Sequence, residues 1–462
     1  MSDPRPRAAR DTALDRLLPV GRTSCLVLAG LAVALGGMVV HLEAWIALVV
    51  PGAVGVLFLA ALVRLLTARL DDPLEERRIL WWTLAAFAAH LVVGLLIMSS
   101  TDLRSYLATD SFTYHASALD IVRHWDSGLP LPLLPGGKEG FYYLLAGIYW
   151  VFGPHTSAGV AVNAMLAAAL VPIVTDTTER LFGRSAARPV PPLMLVAPSI
   201  LVLTSGLLKE AVILFLVAVA VNGAVRITHL LQVGPLLAVA GSLALLFTFR
   251  AWVALVLAQG LFAGVVLGKR QLISALGTGM SVVALLAVLV VPLGLGYSGY
   301  QAAIESDLEQ ANLVRQDLAV SASSGFAPEA DISTSRQAVS YLPEGLVRFS
   351  LGPFPWQVSS VRQLPALADA LFIWAMLPSL WVGLRVARRR IGRQLFVAVL
   401  PALATSVLLA LSIGNYGAIA RERMQVLVVV LPVMAFGLVE RRRRRRFAAP
   451  PGHDLDAGLV PA

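Results

Sequence analysis

Cysteine, lysine and charge are all scarce in this chain. Cys25 is the single cysteine in 462 residues, so no intramolecular disulfide cross-links the chain and the redox compartment stays open. It lies in an apolar run without a cationic neighbour, which reads as a packing residue with an inert thiol. Lysine occurs only at Lys138, Lys209 and Lys269. Asp, Glu, Lys and Arg make up 14% of the chain, against about a quarter in soluble domains. A soluble enzyme, a disordered protein and a disulfide-stapled secreted domain are excluded together.

Apolar residues fill the space that charge leaves, at 57% of the chain. They recur in runs of the length a bilayer demands, about 20 residues for a hydrocarbon core of about 30 Å. The expected fold is an all-α polytopic membrane protein with about 12 transmembrane helices. The runs fall at 23–40, 44–66, 79–98, 157–178, 191–204, 207–225, 233–249, 251–267, 272–295, 365–386, 395–413 and 424–439. A cytoplasmic tail (1–22) precedes the membrane domain (23–440), and a basic, disordered cytoplasmic tail (441–462) follows it. The first run reads as a signal anchor, because no A-x-A cleavage site follows it.

The net charge of +9 comes from arginines between apolar runs and from the block Arg441 to Arg446, and it points to a membrane surface rather than to nucleic acid. With both termini inside, 26 of the 37 basic residues face the cytoplasm and 11 lie outside, as the positive-inside rule requires. That count holds only if 141–152, rich in Phe, Tyr and Trp, lies in the interface instead of spanning. Two long outer segments result, 99–155 and 296–364. Chemistry is expected on the outer face of the membrane, because polar groups beyond the charge rule collect there.

The first outer segment contains DSFTYHASA, with a helix beginning near Thr109 or Asp110 and running toward Trp125. Asp110 is either a general base or metal ligand, or simply an N-cap, a position Asp fills well. Tyr114 and Ala118 share its face, with Ser111 and His115 alongside. His115 reads more simply as a polar-face residue than as a ligand, and His124 likewise. Lys138 and Glu139 read as a local ion pair at a turn. Lys209 and Glu210 stand at the outer end of an apolar run. The lysine could snorkel, but an adjacent glutamate cannot share its face, so one of them points into the bundle.

Arg250 occupies a tight outer hairpin, either as an exposed charge or as a phosphate ligand. The second outer segment starts acidic, becomes Ser-rich through SASSGF as a mobile loop, and ends in an interface-lying or re-entrant element at 353–356 preceded by Arg348. Arg421 and Arg423 sit on the side the charge rule disfavours, and anion binding is the simplest reason, since the guanidinium fork suits phosphate oxygens. One carboxylate with several outer cations suits a lipid-anchored phosphate donor whose leaving group needs neutralisation.

Five stretches carry a resemblance: DSFTYHASA, FYYLLAGIYWVFGPHTSAGVAVNAMLAAALV, PSILVLTSGLLKEAVILFL, YLPEGLVRFSLGPFPW and GNYGAIARERMQVL. Together, over residues 102–437, they resemble the GT-C superfamily of polytopic glycosyltransferases, in particular members acting on bacterial envelope polysaccharides. The resemblance implies a GT-C-like fold with interfacial helices in the first outer loop. It implies transfer of a sugar from a polyprenyl-phosphate-linked donor to a glycan, lipid or protein acceptor, with a polysaccharide polymerase or ligase, using Arg336 and Arg348, as the alternative and a flippase behind it. Asp110 would be the catalytic carboxylate, and Asp110→Asn would abolish transfer. Tyr114, His115, Lys209, Glu210, Arg250, Arg348, Arg421 and Arg423 would bind substrate. The family often places two acids together in the first loop, whereas Ser111 follows Asp110 here. A divalent metal therefore stays an open option and no cofactor is assigned, with Asp102 or Glu139 as the acid that would complete a pair with Asp110 in space.

Overall fold

A computed structural model describes residues 42–130, 132, 134, 138–229, 232–269, 277, 308–322, 324–358 and 363–448. The expected spans at 23–40 and 272–295, Cys25 and both terminal tails except the start of the basic block lie outside them. Among the described residues the elements are α-helices and short 3-10 turns, with one isolated β-bridge and no strand. Eight helices are long and apolar enough to cross a membrane. The protein is an all-α, multi-pass membrane protein.

Helices α1 (Leu42–Thr67) and α2 (Pro73–Ser99) form the first pair. Asp72 caps α2 by accepting from the amides of Leu74 and Glu75 at 3.1 and 3.2 Å, with Pro73 at the first helical position. Three short helices follow outside the spans: α3 (Thr101–Leu107), α4 (Asp110–Ser127) and α5 (Glu139–Phe152). At 14 residues α5 is too short to span. It buries Phe141, Tyr142, Leu145 and Tyr149 and leaves Tyr143 and Trp150 exposed. Helix α6 (Thr156–Phe182) then crosses through the centre of the molecule, mostly buried.

The span expected at 191–204 is not one helix. After the single turn α7 (Arg184–Ala187), the chain forms α8 (Val190–Val196) and α9 (Pro198–Leu203), broken at Ala197, whose ψ of 108° is extended. Pro198 is the cause: its ring excludes the preceding residue from the α conformation. Residues 204–209 are non-helical yet buried. Irregular backbone at such depth persists only with protein partners. Asn163 supplies them, its Nδ2 donating to the carbonyls of Gly206 and Leu208 at 2.7 and 2.8 Å. The loop backbone also presses on α2 at Gly94, where a Cβ would stand 2.3 Å from the Ser205 carbonyl oxygen.

Helix α10 (Glu210–His229) starts from that loop. The next element, α11 (Val233–Gly268), departs from helical geometry at Arg250 (φ −164°, ψ 83°). Val239 and Leu243 before this point line one apolar cavity with Leu261 and Val265 after it, so the two halves fold back as the expected hairpin. In the second outer segment α12 (Leu308–Ser321) and α13 (Ser335–Leu351) are helical. Helices α14 (Leu364–Arg390), α15 (Phe396–Ser412) and α16 (Tyr416–Ala448) complete the bundle.

The Ser-rich stretch is docked instead of free. The Phe326 amide donates to the Gly414 carbonyl at 2.9 Å and the Tyr416 amide to the Ser324 carbonyl at 3.0 Å. Phe326 itself is buried against Tyr416, ring centroids 4.6 Å apart. At 353–356, Phe354 stacks on Trp356 at 5.0 Å and approaches Trp374 at 5.7 Å.

Ion pairs define two ends of the bundle. At one end Asp176 receives Arg69, Arg180 and Arg226 at 2.9, 2.7 and 3.0 Å, Arg184 reaches Asp72 at 3.0 Å, and Arg390 reaches Glu440 at 2.9 Å. These arginines are among the 26 basic residues expected on the cytoplasmic side. At the opposite end lie α3 to α5, the 204–209 loop, the Arg250 turn, α12, α13 and the start of α16.

Candidate functional site

Four separately positioned elements carry charge to that second end. Helix α4 begins with Thr109 as its N-cap, and the Thr109 hydroxyl donates to the Ser105 carbonyl instead of capping α4. Asp110 is therefore inside the helix and does not serve as N-cap. Its Oδ2 accepts from Arg421 Nη1 on α16 at 2.8 Å. The neighbouring Glu422 forms an ion pair with Arg250 at the hairpin turn. Lys209 and Glu210, each 4% exposed, close the 204–209 loop and open α10. Neither snorkels to the surface.

These groups share one electrostatic neighbourhood. Arg250 feels Glu210, Tyr114, Arg421 and Asp110, and Arg421 feels Glu210, Asp110 and Tyr114. Lys209 lies within the fields of Arg250, Glu210, Lys138 and Asp110. The structure thus brings Asp110, Tyr114, Lys209, Glu210, Arg250 and Arg421 together, although up to 311 residues separate them in sequence. Glu422 and Lys138 join them. Glu422 falls beside the two arginines singled out from sequence, yet no spacing marks it as the partner of Arg250.

Tyr114 forms the apolar wall. It is 1% exposed, edge-on to Phe141 at 4.8 Å and tilted to Tyr142 at 5.6 Å, with Lys138 Nζ 5.9 Å from its ring centroid. Burial, then the Glu210 and Asp110 charges, push the phenol well above its ordinary range. Tyr114 stays protonated and is a hydrogen-bond donor at every ordinary pH. Among the described residues its Oη has no hydrogen-bond partner, and neither does Glu210 Oε2.

Three residues singled out from the sequence lie elsewhere. The His115 ring faces Tyr149, with Nδ1 2.8 Å from the phenol oxygen, beside Arg104. Arg104 in turn donates to Ser111 Oγ at 2.8 Å and covers the Phe112 ring at 4.0 Å. Burial, then Arg104, lowers the His115 imidazole below its ordinary value. Arg348 pairs with Glu344 at 2.7 Å and sits over Phe326 at 5.2 Å. Arg423 is 3% exposed and bound to Asp369 at 2.6 Å, with further bonds to the carbonyls of Phe349 and Gly352. Two residues from Arg421, at about 100° per residue on a helix, it points toward α14 instead of toward α4. It fastens helices together.

His124 bonds within its own helix, to the Asp120 carbonyl at 2.7 Å. Among the described residues no group of three or more His, Cys, Asp or Glu side chains is arranged to hold a metal ion. Compared with protein-family models, curated proteins and solved structures, the chain finds no match.

Proposed function

We propose that the protein is a membrane glycosyltransferase, moving a sugar from a polyprenyl-phosphate-linked donor to a glycan, lipid or protein acceptor at the outer face of the bacterial plasma membrane in envelope glycan synthesis. A GT-C-like organisation accompanies this reading. The observation that carries it is the convergence of Lys209, Arg250 and Arg421 with the carboxylates of Asp110 and Glu210 at one end of a membrane bundle. Inverting or retaining, the transfer needs the same two services. Cations must hold the phosphate and take up the charge that grows on it as the glycosidic bond breaks. A carboxylate must receive the acceptor's proton.

Lys209, Arg250 and Arg421 supply the first service. They come from the 204–209 loop, the Arg250 turn and α16. Asp110 or Glu210 supplies the second. The polyprenyl tail of the donor is an apolar partner for the exposed surface of α4 and α5, where Phe112 and Trp150 are 40% and 64% exposed.

Two features favour transfer over the alternatives. A transporter places its charges near the bilayer midplane between related halves, whereas these sit at one end. In a polymerase or ligase built on Arg336 and Arg348 those residues would converge, but Arg336 is exposed and Arg348 is held by Glu344.

The test uses the full chain in lipid nanodiscs with synthetic polyprenyl-phosphate-linked hexoses and pentoses carrying a radiolabel, and a native membrane extract as acceptor. Wild type is expected to move single sugars, and Lys209→Met and Arg421→Met to lose that transfer while remaining folded. No transfer by wild type from any donor would refute the reading. Block transfer of preassembled glycan would replace it by the polymerase or ligase.

A further inference from the structure

Two polar atoms in the site have no partner although both are deeply buried: the Tyr114 hydroxyl and Glu210 Oε2. Tyr114 is 1% exposed and Glu210 4%. A buried polar group without a hydrogen bond pays its full desolvation cost, more so if charged. Native proteins keep few of them, and each calls for a reason. Here two occur together. Tyr114 feels the Glu210 charge ahead of that of Asp110, yet the Tyr114 hydroxyl and Glu210 Oε2 do not bond to each other.

Their chemistry is complementary to a third group. A protonated phenol donates and a carboxylate oxygen accepts. An alcohol carries one donor and two acceptor lone pairs, so a single hydroxyl can donate to Glu210 Oε2 and accept from Tyr114 at once. An ammonium group has no lone pair to accept from Tyr114, and a fully ionised phosphate has no proton to donate to Glu210. Asp110 is placed differently: its Oδ2 is already taken by Arg421, whereas Glu210 Oε2 has no partner among the described residues.

Resting on the glycosyl-transfer reading above, we infer that Glu210, and not Asp110, is the proton acceptor, and that Tyr114 and Glu210 together form the subsite for the acceptor alcohol. The acceptor hydroxyl gives its proton to Glu210 Oε2 as its oxygen forms the bond to the anomeric carbon. The bond from that carbon to the phosphate oxygen breaks, and its electron pair leaves on the phosphate, beside Lys209, Arg250 and Arg421. Protonated Glu210 then returns the proton to water. Asp110 is a positioning residue that aims Arg421.

The experiment uses the same nanodisc assay with wild type, Glu210→Gln, Glu210→Ala, Tyr114→Phe, Asp110→Asn and Asp110→Ala. A general base contributes about 10²–10⁴-fold, so Glu210→Gln should lose that factor in kcat with donor KM nearly unchanged. Sodium formate, a small exogenous base, should restore part of the rate to Glu210→Ala. Tyr114→Phe should raise acceptor KM, and Asp110→Asn should raise donor KM and be insensitive to formate. Glu210 is also a counter-charge to Arg250 and Arg421, so thermal midpoints are measured beside wild type, and where a Glu210 variant's midpoint falls, Glu210→Asp carries the comparison. Glu210→Gln within tenfold of wild type, with formate rescuing Asp110→Ala instead, would overturn the assignment and leave glycosyl transfer standing. Absence of transfer by wild type from every donor would overturn both.

Discussion

Arg421 and Arg423 stand two residues apart on one helix and should respond to substitution in opposite ways. Arg423 is 3% exposed and its partner Asp369 is fully buried. Arg423→Met removes the 2.6 Å ion pair and two bonds to the carbonyls of Phe349 and Gly352, leaving an uncompensated carboxylate in the bundle interior. Ser199, which also bonds to Asp369, does not neutralise it. Breaking one side of a buried pair costs about 3–5 kcal/mol. At about 1.4 kcal/mol per tenfold, the folded-to-unfolded ratio falls by roughly 10²–10⁴.

The Arg421–Asp110 pair is 25% and 37% exposed on its two sides. A pair this open to solvent is worth about 0–1 kcal/mol, so Arg421→Met should fold nearly as well as wild type. The assay is denaturant unfolding in detergent followed by tryptophan fluorescence, with monodispersity on a sizing column as a second measure. The double variant Arg423→Met/Asp369→Leu should recover more than half the loss, because an apolar pair of similar volume replaces the charges. Equal stability of Arg423→Met and wild type, or an equal fall in Arg421→Met, would refute the division of labour between the two arginines.

His115 gives a pH prediction outside the membrane spans. Its imidazole is held below the usual 6.5 by burial and by Arg104, so the unfolded chain binds the proton more readily. This contribution to stability is fully present above about pH 6.5 and is lost as pH falls through the lower folded value. Unfolding midpoints of wild type and His115→Gln should therefore diverge above that window and converge below it, and parallel curves would count against the assignment. Sidedness is checked in a Cys25→Ala background with Ser105→Cys and Arg389→Cys, both exposed and at opposite ends. A membrane-impermeant maleimide should label Ser105→Cys on intact cells and Arg389→Cys only after lysis; the reverse pattern would invert the orientation.

Much of the architecture was legible in the order of residues because the bilayer is a severe solvent. Runs such as 44–66 and 157–178 must be helical to satisfy their backbones, so their positions follow from composition and length. The Arg250 turn and the short aromatic helix at 139–152 followed from charge placement and run length in the same way. The break at Ala197 was missed because a 14-residue apolar run with an internal proline satisfies hydropathy whether or not it is continuous. Its buried loop depends on Asn163, 43 residues away from Gly206.

The site shows the same division. The sequence by itself determined which ionisable residues stand at or beyond the ends of apolar runs, and hence that Asp110, Lys209, Glu210, Arg250 and Arg421 were worth naming. Tertiary structure alone decided that Arg421 meets Asp110 while Arg423 turns to Asp369, and that Glu422 answers Arg250. The physical reason is range. Hydropathy and helix periodicity act over a few neighbouring residues, whereas a salt bridge depends on where helices hundreds of residues apart come to rest, and two positions along one helix, about 200°, separate the guanidinium that meets Asp110 from the one that meets Asp369.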